Sequence, residues 1–436
     1  MSRATKIYIL IICFALIFVL GTGVNTARSK NPQGNRQFGW LASMGGAFDI
    51  RLRETLGQVH EMNPTKDSEN GMGDDQLPPV PEPAVVKGVY LTSWIAGTKA
   101  FNQVIDFIHQ TEVNSLVIDV KDDTGMVSYP SKVPLVNSIG SSFKKYDPEK
   151  IMTVLKQNQI YPIARIVVFK DPYLAKQRPD LAVKSSGGGL WHDYKGLNWV
   201  DPYNKEVWDY NISIAKEAVN YGFREIQFDY VRFTSDGNIR DCRYPKIDGR
   251  VKSDVIRDYL KYAYQELKPL GVKISADVFG LTCSAQDDMG IGQVMEKVAE
   301  GVDVICPMVY PSHYYRGQYN IADPDSRPYE TVYKSLTDAQ QKIANVPRKV
   351  IIRPWLQDFS LRNRYGREQL LEQIKAVENS GLKEWIFWNP SSRYDYHKYR
   401  LKNKALDEEA APNAEINPDF DAKPFTPTTS RSVKYR

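Results

Sequence analysis

EIQFDYVRF, residues 225–233, and KISADVFG, residues 273–280, decide the fold. Each is a short apolar run that carries an aspartate near its end. Side chains alternate across a β-strand. Ile226 and Phe228 therefore share one side, with Gln227 and Asp229 on the other. In the second run Ile274, Ala276 and Val278 oppose Ser275 and Asp277. Strands with apolar outer faces and matching inward acids are what a closed parallel sheet under a helical jacket requires.

Six more runs of this kind flank the pair. They are VKGVYLTSW (Val86–Trp94), SLVIDVKDD (Ser115–Asp123), YPIARIVVFKD (Tyr161–Asp171), DVICPMVY (Asp303–Tyr310), VIIRPWLQDF (Val350–Phe359) and EWIFWNP (Glu384–Pro390). Helical segments are expected between them. Lys205–Tyr221 is stopped by Gly222, Val255–Leu267 by Pro269 and Arg367–Ser380 by Gly381. Eight strands alternating with helices predict the α/β class and a (β/α)8 TIM barrel, whose chemistry sits at the strands' C-terminal ends. Those ends carry Asp119, Asp122, Asp229, Asp277 and Asp358.

A barrel needs ~250 residues, so 436 residues imply one domain with appendages. Residues 1–24 hold the apolar stretch IYILIICFALIFVL behind Arg3 and Lys6, the layout of an export signal or an uncleaved membrane anchor. Residues 25–84 are polar and end in LPPVPEPA, a spacer composition. The barrel is expected over 85–405 and a Pro-containing disordered tail over 406–436. The expected location is outside the cell, tethered to the membrane or secreted. The 57 basic and 52 acidic residues are well mixed, which leaves no footprint for nucleic acid. No phosphate-binding Gly-rich loop occurs, and no Cys/His spacing matches a metal site. No cofactor is expected. Cys242 and Cys283 follow neighbouring strands, so a disulfide and two free thiols are both open readings.

Cleavage of a glycosidic bond uses two carboxyl groups, one giving a proton to the leaving oxygen and one acting as nucleophile or activating water. Asp229 and Asp277, late on adjacent strands, suit that work. Asp358 is a third candidate, although Arg353, Trp355 and Gln357 share the opposite parity and it turns inward only if the strand ends or bulges first. Asp119 and Asp122 suit substrate hydrogen bonding, with Arg232 nearby as a further polar group. Trp94, Tyr310, His313, Trp355 and Trp388 supply rings at the strand ends for stacking on sugar faces. The long connection 172–203, with Trp191 and Trp199, is expected to wall the cleft.

The segments FREIQFDYVRF, SADVFG, YPSHY and RPWLQDF resemble a bacterial family classed as glycoside hydrolases, over about Val85 to Tyr399. That family is similar to α-amylase-type barrels. The resemblance implies a nucleophile at Asp229, an acid/base at Asp277 and a stabilising acid at Asp358. Departures are Asp rather than Glu at 277, Gln227 where that pattern has Arg, and Gln357 where it has His. The leading expectation is a hydrolase acting on an extracellular or cell-wall polysaccharide. The alternative is a non-catalytic barrel that binds glycan at the cell surface.

Overall fold

The computed structural model describes residues 77–402. Nine parallel strands appear in the order β1 Lys87–Leu91, β2 Ser115–Lys121, β3 Tyr161–Val167, β4 Glu225–Asp229, β5 Lys273–Phe279, β6 Val304–Met308, β7 Ile351–Ile352, β8 Trp355–Gln357 and β9 Trp385–Trp388. Each pairs with its neighbour in parallel, β9 returns to β1, and β5 pairs with β6, so the sheet closes. β7 and β8 are two pieces of one stave. β7 bonds to β6, and β8 touches β6 only at Met308 before pairing with β9. The break falls at Arg353-Pro354, where proline has no N–H to give the ladder. Eight staves result, as the alternation predicts.

The helices lie outside. α1 Ser93–Ala96, α2 Ala100–Gln110, α3 Pro134–Ile139, α4 Pro148–Gln157, α5 Pro172–Gln177, α6 Lys205–Tyr221, α7 Lys252–Leu267, α8 Met295–Ala299, α9 Pro328–Ile343 and α10 Arg367–Asn379 follow in chain order. In α6 the Asn204 side chain accepts from the Glu206 N–H, capping the start. Gly222 ends it at φ 112°, a left-handed conformation that suits glycine. Val207, Ile212, Ile214 and Ala215 are buried, as their spacing predicts. Among the described residues no helix is long and apolar enough to cross a membrane. The segment 1–24 and the tail 406–436 lie outside the described residues, as does the spacer apart from its last residues.

Inside the sheet, Val117, Tyr161, Ile163, Val304, Cys306 and Ile386 form an apolar cluster separate from the larger one under the jacket. Within this interior sits a buried charge network. Arg353 Nη1 bonds to Glu225 Oε1 at 2.7 Å, and Nε to Glu384 Oε2 at 2.8 Å. Ser275 Oγ donates to the same Glu225 oxygen at 2.6 Å. Arg353 and Glu225 are fully shielded from solvent. Breaking such a network strands a charge in a medium that cannot solvate it. Cys242, Cys283 and Cys306 are free thiols, so of the two cysteine readings the unbonded one holds. Cys283 is buried, and the Cys242 sulfur lies 3.4 Å from Thr234 Oγ1.

Replacing Arg353 by Met keeps most of its volume while leaving Glu225 and Glu384 unpaired. Arg353→Met is expected to cost about 3–5 kcal/mol in urea denaturation. A loss below about 1 kcal/mol would mean that solvent reaches the barrel floor.

Candidate active site

At the strands' C-terminal ends the inward positions carry charge. Asp119 of β2, Arg165 of β3, Asp229 of β4 and Asp277 of β5 come from four consecutive staves. In the register Gln227 faces Ser275 and Phe228 faces Ala276, so the next rung sets Asp229 beside Asp277. The two acids thus meet by strand pairing rather than through loops.

Arg165 links the acids. Its Nη1 donates to Asp119 Oδ1 at 2.6 Å, while Nε, at 3.0 Å, and Nη2 converge on Asp229 Oδ2. Tyr90 Oη donates to the other Asp119 oxygen at 2.5 Å. Burial works against charge on Arg165, but Asp229 and Asp119 outweigh it and hold the guanidinium cationic. The ring of Trp388 stacks on Tyr90 with centroids 3.9 Å apart, and the guanidinium carbon stands 5.3 Å from Trp388 and 5.6 Å from Tyr90. The remaining Asp229 oxygen accepts the Tyr230 N–H at 2.6 Å. Tyr230 has φ 49°, a left-handed conformation uncommon for a side chain of that size and typical of strained functional sites.

Asp277 sits in a different environment. It is 1% exposed, and Oδ1 accepts the Trp355 indole N–H at 2.7 Å. Burial, reinforced by the charge of Asp229, pushes its carboxyl well above the usual carboxylate range. Asp229 keeps Arg165 as counter-charge, whereas Asp277 has the neutral indole. Two neighbouring carboxyls in such unequal surroundings divide naturally into a proton donor and a charged partner.

The other residues named from sequence distribute unevenly. Tyr310 is buried, its ring 5.2 Å from His313 and 5.6 Å from Phe359. Its hydroxyl is pushed up first by burial and then by the charges of Asp277 and Asp229. Burial lowers the His313 imidazole to about 3, leaving it neutral. Asp122 lies on the rim. It accepts from the Thr124 N–H at 3.0 Å and pairs with Lys145. Arg232 does not reach the acids. It is packed among the rings of Trp199, Tyr230 and Phe279 at 4.6–4.9 Å and donates to Phe233 O and Ser235 Oγ.

Asp358 is not brought to the pair. β8 ends at Gln357 without reversing parity, so Asp358 faces the jacket. There it accepts from Tyr399 Oη at 3.0 Å and Lys398 Nζ at 3.1 Å. Lys121 also leaves the interior, because a bulge between Asp119 and Lys121 turns its side chain outward to Asp171 at 2.6 Å and Asn211 at 2.9 Å. The connection 172–203 is folded down rather than open. Trp191 and Trp199 are buried, and Ala182 bridges Val200. Arg165 and Tyr90 were not among the residues singled out, although both hold the inward parity of their runs.

Residues 88–394 match a family described as "Putative glycosyl hydrolase domain". The chain belongs to this family. Membership makes the protein a glycoside hydrolase, and the acids above occupy the mouth where such a barrel does its chemistry. Among solved structures, a hypothetical protein from Ruminiclostridium thermocellum ATCC 27405 is 42% identical, with 47% of this chain and 98% of that chain covered and a TM-score of 0.41. The PgaB (BpsB) glycoside hydrolase domain from Bordetella bronchiseptica is 11% identical over 70% of this chain and 94% of that one, with a TM-score of 0.50, a likeness of fold. No curated protein matches the chain. Among the described residues no group of His, Cys, Asp or Glu is arranged to hold a metal ion.

Trp355→Phe removes the one hydrogen bond that favours the charged form of Asp277. The carboxyl is then expected to titrate at higher pH. Infrared titration, with the band assigned by its loss in Asp277→Asn, reads this directly. A midpoint that stays or falls would show that the indole is not what steadies the anion.

Proposed function

We propose that the chain cleaves glycosidic bonds of a polysaccharide, with Asp277 as general acid/base and Asp229 as nucleophile. The observation that carries this reading is the unequal environment of two register-matched carboxyls. Asp277 is shielded, its carboxyl pushed well above the usual carboxylate range, and its Oδ1 accepts from an indole, whereas Asp229 is gripped by the Arg165 guanidinium.

In the first step Asp277 gives its proton to the glycosidic oxygen as the C–O bond breaks, and the Asp229 carboxylate takes the anomeric carbon. In the second, Asp277, now ionised, removes a proton from water, whose oxygen displaces Asp229 and restores both groups. Strands ~4.8 Å apart bring register-matched carboxyls close, which favours the ~5–5.5 Å separation of retaining enzymes over the wider inverting one. Retained anomeric configuration is therefore the expected outcome. Arg165, tied to Asp119 and Tyr90, orients Asp229. The cationic sugar at the transition state is stabilised by the net negative charge of Asp119, Asp229 and Arg165 together. In this reading Tyr310, Trp355 and Trp388 line the sugar-binding floor. The apolar segment at 7–20 supports action outside the membrane, on an extracellular or cell-wall glycan.

An amide at 277 cannot donate the proton. Asp277→Asn is expected to lower kcat by roughly 10²–10⁴-fold on a glycan, and far less on an aryl glycoside whose leaving group needs no proton. Asp229→Asn is expected to abolish both, with the far-UV circular dichroism unchanged. Equal losses on both substrates for Asp277→Asn would remove it as the acid, and proton NMR showing an inverted product would remove Asp229 as nucleophile.

A further inference from the structure

Two large rings are left open to solvent on the same face of the barrel. Trp94 is 51% exposed and Phe143 is 45% exposed, with centroids 5.8 Å apart. Trp94 comes three residues after the end of β1, and Phe143 lies in the connection that follows β2. Both therefore belong to segments that follow the strands' C-terminal ends. Uncovered apolar surface of this kind is costly in water and marks a place where something docks.

The pair is held from beneath. Lys145 is nearly fully buried, with its ammonium 5.0 Å from the Trp94 ring and paired with Asp122. Gly97, which ends α1, lies so near the 145–146 backbone that an added Cβ would stand 1.8 Å from the Lys145 carbonyl oxygen. Only glycine permits that approach, which locks the turn bearing Trp94 onto the segment bearing Phe143. The platform is also tied to the acids through buried contacts. Tyr146, next to Lys145, donates through Oη to the Asp119 carbonyl oxygen at 3.2 Å, and the Asp119 side chain is tied to Arg165.

We propose that Trp94 and Phe143 form an outer platform for the glycan chain, on which a pyranose unit away from the scissile bond stacks its apolar face. Asp122, held by Lys145 at the platform's edge, meets its hydroxyls. This deepens the polysaccharide reading and rests on it. A substrate long enough to lie on both the platform and the acids is a polymer, not a disaccharide. Flat rings at fixed positions are the usual means of holding such a chain, since stacking is indifferent to the exact linkage while the polar edge is not.

The test measures binding rather than cleavage, so it survives a wrong assignment of the acids. Full-length Asp277→Asn protein is run through native gels containing glycol chitin, carboxymethylcellulose or soluble starch. Retardation by at least one polymer is expected, with affinity weakened roughly 10-fold or more on adding Trp94→Ala, from the apolar area lost. Phe143→Ala should act in the same direction, and Trp94→Phe should restore most of the retardation. The thermal midpoint should stay constant, because both rings are exposed. Retardation unchanged by Trp94→Ala and Phe143→Ala, or absent for all three polymers, overturns the platform. A dimer in sedimentation that these substitutions turn into monomer would assign the surface to a second copy and overturn it equally.

Discussion

The barrel mouth is organised around one buried guanidinium. Arg165 sits among Asp119, Asp229 and Asp277, three carboxyls that would repel one another without it. A charge taken out of water is tolerated only where partners and hydrogen bonds replace its hydration. Here Asp119 and Asp229 do so directly, and Tyr90 steadies Asp119 in turn. Because this cation bonds Asp229 rather than Asp277, the two acids stand in unequal surroundings. The division of labour in the proposed mechanism follows from which carboxylate the arginine grips.

The same logic is repeated deeper in the barrel, where Arg353 neutralises Glu225 and Glu384. The two layers of buried charge share the interior of the closed sheet with the apolar cluster of Val117, Ile163, Val304, Cys306 and Ile386. In the deeper layer Arg353 and Glu225 are fully shielded. The upper layer lies at the strands' C-terminal ends, where a barrel of this kind meets its ligand.

Much of this was legible in the chain. Alternation alone sets Asp229 and Asp277 inward on matching rungs, because Ile226, Phe228, Ile274 and Val278 leave no other choice of face. Alternation also warned against Asp358, and the strand's parity carried it to Lys398 and Tyr399. The missing arginine was harder. Gln227 stands where the α-amylase pattern has Arg, and here a guanidinium arrives from the neighbouring stave. Arg165 was visible as the single charge in YPIARIVVF, but only three-dimensional closure reveals whose carboxylate it meets. Arg232, three positions beyond the strand end, was beyond reach of the period-two argument because Tyr230 turns the backbone left-handed there.

The bulge after Asp119 has a consequence of its own. Asp119 faces Arg165, and one residue is then skipped before Lys121 faces Ile166. Were the strand to pair regularly through Val120, Lys121 would share the inward side with Asp119 and bring a second cation against the carboxylates. Regular pairing would thus redirect the lysine from Asp171 into the cleft and cancel the net negative charge of Asp119, Asp229 and Arg165. A single codon's worth of backbone slack keeps the two electrostatic compartments of the second stave apart.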